Sequence, residues 1–182
     1  TEKVSQYAKQ RENKYWYEDI SVLYKAIESG AEMVSLVRKY SGNTYADIID
    51  GVSAYANMLY QIDYAYRKFI YYYRRSNQNK ILSQLAEKVE KVYSNDWLLT
   101  FNDNWQQVIN DTKVWPVHDI KSQKLFFNQQ VAKFTEKTNR LFVIISDAFR
   151  YECGVELLKR IKSENRFDAT LSHMISGLPS YT

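Results

Sequence analysis

Apolar or small residues recur at Trp16, Ile20, Leu23, Ile27, Gly30, Val34 and Val37, in alternating steps of four and three. The same alternation resumes at Ile48, Val52, Tyr55, Leu59, Ile62, Tyr66, Phe69 and Tyr73. Such steps average about 3.5 residues and keep one stripe of a helix turned toward a partner helix. Only a short polar break, Ser41-Gly42-Asn43, separates the two stripes. The sequence therefore predicts two long helices folded back on each other as an antiparallel hairpin. Gly42 suits the residue that ends a helix, and Asn43 or Thr44 offers a side-chain cap for the next one. Gly30, on the seam, would let the helices approach closely. At about 1.5 Å per residue, an arm of about 30 residues is about 45 Å long.

The rest of the composition agrees with a helical chain. With 5 glycines and 2 prolines in 182 residues, there are too few turn formers for an all-β fold, which turns roughly every 8–12 residues. Hydrophobic residues make up 45% and charged residues 25%, a balance that packs a core rather than staying disordered. No apolar run reaches the roughly 18 residues a membrane helix requires, and no secretory leader pattern opens the chain. The lone Cys153 has no partner for an internal disulfide, which fits a reducing, cytoplasmic compartment. A net charge of +4 is too mild by itself to imply nucleic acid. The start at Thr1 and the stop at Thr182 read as a piece cut from a longer protein at both ends.

Beyond the hairpin, a third helix is expected at about 79–93, with Leu82, Leu85, Val89 and Val92 on one face. A bent helical segment over 94–112 would pack Trp97, Phe101 and Trp105, and Trp115-Pro116 marks a break. Another helix is expected over 119–138. The pattern then changes. Residues 141–145, Leu-Phe-Val-Ile-Ile, form a continuous apolar run of the kind seen in strands buried on both faces of a parallel sheet. A helix at 149–164 and a second strand at 167–175 would complete a βαβ unit. The expected fold is mainly α with a C-terminal α/β portion. A helical domain covers 1–138, the hairpin occupying about 1–77, and an incomplete sheet domain starts at 139–182.

Functional residues of open parallel sheets gather at the carboxyl ends of strands. Here the first strand would end on Ser146-Asp147 and the second on a turn rich in hydroxyls, 176–182. Asp147 could cap the helix that follows or act in chemistry. The segment Val143-Ile144-Ile145-Ser146-Asp147-Ala148-Phe149-Arg150-Tyr151-Glu152, with Gly177-Leu178-Pro179-Ser180-Tyr181-Thr182, resembles the PglZ domain of bacterial BREX phage-defence systems, within the alkaline phosphatase superfamily. The resemblance is specific over 140–182 and looser before it, where the Trp16-Tyr17 segment is similar to the region that precedes the domain. Phe149 stands where the family usually carries leucine.

The resemblance implies a metal-dependent phosphoester hydrolase serving phage defence. Asp147 would be a metal ligand and Thr182 the nucleophile, at a helix start whose N–H groups suit a phosphate. Zinc would be the first choice of ion, with manganese or magnesium as alternatives. Arg150 and Glu152 would orient Asp147 or bind phosphate, or simply pair with each other, and Ser180 is the nearest alternative hydroxyl. The superfamily completes its two metal sites with further Asp and His residues, and neither His118 nor His173 matches such a position. The 182 residues alone are therefore expected to be inactive and metal-free.

The remaining candidates have plainer readings. His173 is expected to be buried and hydrogen-bonded, His118 a loop residue and Cys153 a small core residue. The stretch 64–75, with Arg67, Lys68, Arg74 and Arg75 among tyrosines, could meet nucleic acid, since bases stack on aromatics and phosphates meet cations. It could equally dock other proteins of the defence system or be an ordinary solvated face. The competing function is a non-catalytic scaffold whose helical arm binds defence proteins or nucleic acid.

Overall fold

The computed structural model describes residues 2–77, 79–135 and 140–178. The last turn expected from the sequence, with Ser180 and Thr182, lies outside the described residues.

Helix α1 spans Glu2–Glu12 and α2 spans Tyr17–Tyr40. Gly42 has a φ of +93°, a left-handed conformation that glycine adopts without a Cβ clash, so it turns the chain just past the end of α2. The connection is longer than the three-residue turn expected. Helix α3, Ile48–Ala54, is capped by Asp47, not by Asn43 or Thr44. Asp47 accepts from the Asp50 backbone N–H at 2.8 Å, and Asp50 accepts in return from the Ala46 N–H at 3.0 Å. This reciprocal pairing satisfies two donors at the helix start. A wide π-helical turn, Tyr55–Leu59, runs into α4, Tyr60–Arg75.

Helices α2 and α4 form the expected hairpin. Lys25 approaches the Tyr72 ring while Gly30 abuts Phe69, so rising numbers on one helix meet falling numbers on the other. A Cβ on Gly30 would lie 3.1 Å from both Phe69 Cδ2 and Val89 Cγ2. The missing side chain is thus what lets three helices close on one point. Around it Met33, Val37, Leu59, Ile62, Ala65 and Phe69 are buried, each large apolar side chain contributing about 1.5–3 kcal/mol by leaving water.

Helix α5, Asn79–Lys91, lays Leu82 and Val89 on the same core. A second π-helical stretch, Val92–Leu99, inserts Tyr93 and Trp97 and leads into α6, Thr100–Asp111. A smaller core joins Ile48, Val108, Ile120 and Ile175, with Trp105 and Trp115 against it. The helix expected over 119–138 appears as a 3₁₀ turn, Gln123–Leu125, a π-helical turn, Phe127–Val131, and the short α7, Ala132–Thr135. Helix α8 spans Tyr151–Ser163.

No strand forms among the described residues, so the expected βαβ unit is not seen. Strands exist only through a neighbour's hydrogen bonds, and 141–145 makes no ladder with any of the described residues. Its Phe142, Ile144 and Ile145 stand in solvent, Ile144 being 91% exposed. Ile175 instead makes an isolated parallel bridge to Ser122. Its N–H donates to Lys121 O at 2.8 Å, and its carbonyl accepts from the Gln123 N–H at 2.9 Å. The two segments expected to pair with each other are thus apart in hydrogen bonding, although α8 between them forms as expected.

Candidate functional site

Asp147 sits on the turn ahead of α8, exposed to solvent. The next residue, Ala148, has a φ of +53°, left-handed and therefore mildly strained for a residue with a Cβ. The chain then enters α8 with Arg150 in the N-cap position.

Arg150, Tyr151 and Glu152 all turn toward the helical arm. Arg150 reaches the Tyr93 side chain, whose influence pushes the guanidinium above its ordinary value. Tyr93 in turn donates to Asp63 Oδ1 at 2.9 Å. Asp63, buried on α4, also accepts from the Tyr55 hydroxyl at 2.5 Å and from Trp97 Nε1 at 3.3 Å. Burial, followed by the charge of Asp63 and the hydrogen bond to it, pushes the hydroxyls of Tyr55 and Tyr93 well above the usual tyrosine range. Both therefore remain donors at any physiological pH.

Glu152 is fully buried. Its Oε1 lies 3.7 Å from Arg67 Nε, and neither Glu152 Oε2 nor Arg67 Nε has a hydrogen-bond partner among the described residues. Burial raises the Glu152 carboxyl above its ordinary value and nearby Asp63 adds to the rise, against the lowering effect of its own N–H, Arg150 and Arg67. Cys153 is half-buried, its Sγ 3.8 Å from Glu152 Oε1, and burial first, then Glu152, pushes the thiol up. Such a thiol is a poor nucleophile.

One turn further along α8, Glu156 accepts from Arg67 at 2.7 Å, Lys68 at 2.7 Å and Arg160 at 3.1 Å. Burial opposes its ionisation, but the hydrogen bonds from Lys68, Arg67 and Arg160 win and hold the carboxyl at about 2. Two of the cations singled out on the arm, Arg67 and Lys68, are therefore joints between α4 and α8. Arg74 is exposed, and Arg75 donates to the Tyr71 hydroxyl at 2.5 Å and lies over its ring.

Beside this junction lies an apolar cleft of about 430 Å³, lined by Val52, Tyr55, Trp105, Tyr151 and His173 among others. His173 is exposed rather than buried and hydrogen-bonded as expected, its ring edge-on to Tyr151 at 6.3 Å.

Asp147 offers one carboxylate, whereas divalent ions take four or more ligands. No group of three or more His, Cys, Asp and Glu side chains gathers to hold an ion among the described residues. The residues described do not by themselves fit a metal, and Thr182 and Ser180 lie outside them.

Residues 126–182 match the BREX system PglZ alkaline phosphatase-like domain. The chain is related to PglZ-domain proteins. It is 34% identical over 184 residues to the alkaline phosphatase-like protein BrxZ of Escherichia coli O9:H4 (strain HS), covering 95% of this chain and 21% of that protein. It is 30% identical over 176 residues to the alkaline phosphatase-like protein PglZ of Bacillus cereus (strain H3081.97), covering 94% of this chain and 20% of that protein. No solved structure matches the chain significantly. The chain thus spans about a fifth of the length of the PglZ relatives it matches. The likeness to BrxZ and PglZ runs through the helical arm as well as the C-terminal segment, further than the motif residues alone indicated. Among the described residues no helix is long and apolar enough to cross a membrane.

The sequence reading missed Asp63, Tyr93, Trp97 and Glu156 as members of the polar junction between α8 and the helical arm. One signal was available: Asp63 is an acid inside an aromatic, basic helix, next to the seam residue Ile62.

Proposed function

We infer that the protein to which this chain corresponds is a phosphoester hydrolase of the alkaline-phosphatase-like type acting in phage defence. Within it, the chain supplies the helical arm and the first catalytic turn. The observation that carries the reading is the match of 126–182 to the PglZ domain, within which Asp147 is presented to solvent on the turn before α8. In this reading the Thr182 hydroxyl attacks phosphorus, the alcohol of the ester departs, and water then cleaves the phosphothreonine. Metal dependence belongs to the same proposal, with Asp147 as one ligand and the others drawn from beyond the described residues.

The test is hydrolysis of an aryl phosphate ester by the full-length protein with added zinc or manganese. Thr182→Ala and Asp147→Ala should each lower kcat by roughly a thousandfold or more. Hydrolysis that survives both changes defeats the assignment.

A second reading is a non-catalytic scaffold whose arm docks other defence proteins. It is supported by the orientation of Arg150 and Glu152, which engage Tyr93 and Arg67 of the helical region rather than standing at an open rim. Full-length protein that shows no hydrolysis with any of the ions, yet co-purifies with defence proteins through the arm, would favour it.

A further inference from the structure

We propose that the groove where α2, α4 and α8 meet binds a single strand of nucleic acid, independently of any hydrolytic site. The groove has a volume of about 410 Å³ and is lined by Lys25, Arg67, Lys68, Arg75 and Arg160, with Glu156 as its single carboxylate. That carboxylate is already shared by Arg67, Lys68 and Arg160. Lys25 and Arg75 form no ion pair among the described residues: Lys25 lies 5.9 Å from the Tyr72 ring and acts electrostatically on Glu28, and Arg75 lies over the Tyr71 ring at 5.4 Å and donates to its hydroxyl. The lining is therefore strongly positive, on a chain whose net charge is only +4.

Tyrosines set between cations decide the kind of anion. Tyr71 and Tyr72 stand edge to face, 5.1 Å apart, and Tyr71 is 46% exposed. An exposed ring next to unpaired cations suits a base stacked on the ring and phosphates on the cations, the arrangement that binds single strands without regard to sequence. An acidic peptide would use the charges but leave the rings idle. The groove also has a limit. Past Lys25, Lys68 and Tyr72 it opens into a second hollow lined by Glu28 and Glu32, which repel phosphate. Glu28 and Glu32 bound the groove on that side, so the strand lies among Lys25, Arg75 and Arg160. The basic set expected from the sequence changes accordingly, Arg74 leaving it and Lys25 and Arg160 joining.

The test is fluorescence anisotropy of the 182-residue chain with a labelled single-stranded oligonucleotide of about 12 nucleotides. Expected is binding at low salt that weakens on a log–log plot with a slope of about −2, as for three neutralised phosphates. Lys25→Gln with Arg75→Gln should weaken it at least tenfold, and Tyr71→Ala about fivefold. Lys88→Gln with Lys91→Gln, on α5, should leave it unchanged. Unaltered thermal melting of each variant separates lost binding from lost folding. No binding at low salt, or equal losses in the α5 control, overturns the proposal. So does tighter binding of a phosphorylated peptide, or of a mononucleotide, than of the strand.

Discussion

Arg67 Nε stands 3.7 Å from Glu152 Oε1, beyond hydrogen-bond reach, so a fully buried carboxylate faces a guanidinium without closing the contact. Arg67 reaches past it to Glu156, only 2.7 Å away. One cation serves two carboxylates and serves the more exposed one better.

Glu152→Gln should therefore stabilise the chain by about 1 kcal/mol at neutral pH. Arg67 keeps Glu156, so no cation is stranded, and the buried group no longer has to carry charge. A carboxyl whose folded pKa is raised adds stability fully below its unfolded value, about 4.3. That stability is lost as pH rises through the folded value. The gap between Gln and wild type should open as pH climbs from about 4 toward 7 in thermal melts. A melting temperature that falls in the Gln variant at pH 7 contradicts the account.

Glu156 has the opposite sign. Its folded pKa is lowered to about 2, so its contribution is present above the unfolded value of about 4.3 and disappears as pH drops toward 2. Because Arg160 is 74% exposed, solvent screening reduces the effect to about 1–2 kcal/mol. Glu156→Gln should lower stability by that amount at pH 7 and by almost nothing at pH 2, measured by urea unfolding.

Asp63→Asn should cost about 2–3 kcal/mol, more than Tyr93→Phe at about 1 kcal/mol. An amide cannot accept three hydrogen bonds without turning its own N–H₂ toward a donor. The double variant should lose less than the sum, because Tyr93 and Asp63 share one bond. Strict additivity in denaturant melts would break the link.

Gly51→Ala should destabilise by about 1–2 kcal/mol despite alanine's better helix propensity. Its Cβ would meet Trp105 Cζ3 at 2.7 Å. Gly42→Ala, with nothing within 4 Å, tests the backbone alone, since φ there is +93°. A loss of about 1 kcal/mol is expected.

The hairpin could be read from the sequence because its information is local. The seam residues from Tyr55 to Tyr73 all join one core, and Gly30 reports a close approach directly. The strands could not be verified in the same way. The run 141–145 has the composition of a buried strand, yet strand pairing depends on residues remote in sequence, and Ile175 found Ser122 instead. The polar junction was hidden for a related reason. Arg67 and Glu156 are 89 positions apart, and Trp97 and Asp63 are 34 apart, so neither pairing leaves a periodic trace. Asp147 was legible as a turn acid from its place after the apolar run, but its neighbours' attachment to the arm was not.

Tyr55 and Asp63 are eight residues apart, whereas two regular turns of α-helix bring together residues about seven apart. The π-helical turn at Tyr55–Leu59 takes up the surplus residue. Removing one residue from that loop of chain, for instance the exposed Asn57, would let the helix run straight and swing the tyrosine hydroxyl off the aspartate. The apolar stripe would keep a continuous face, but the grip on α8 would slip by a fraction of a turn. The irregularity is what synchronises the two ends of this helix.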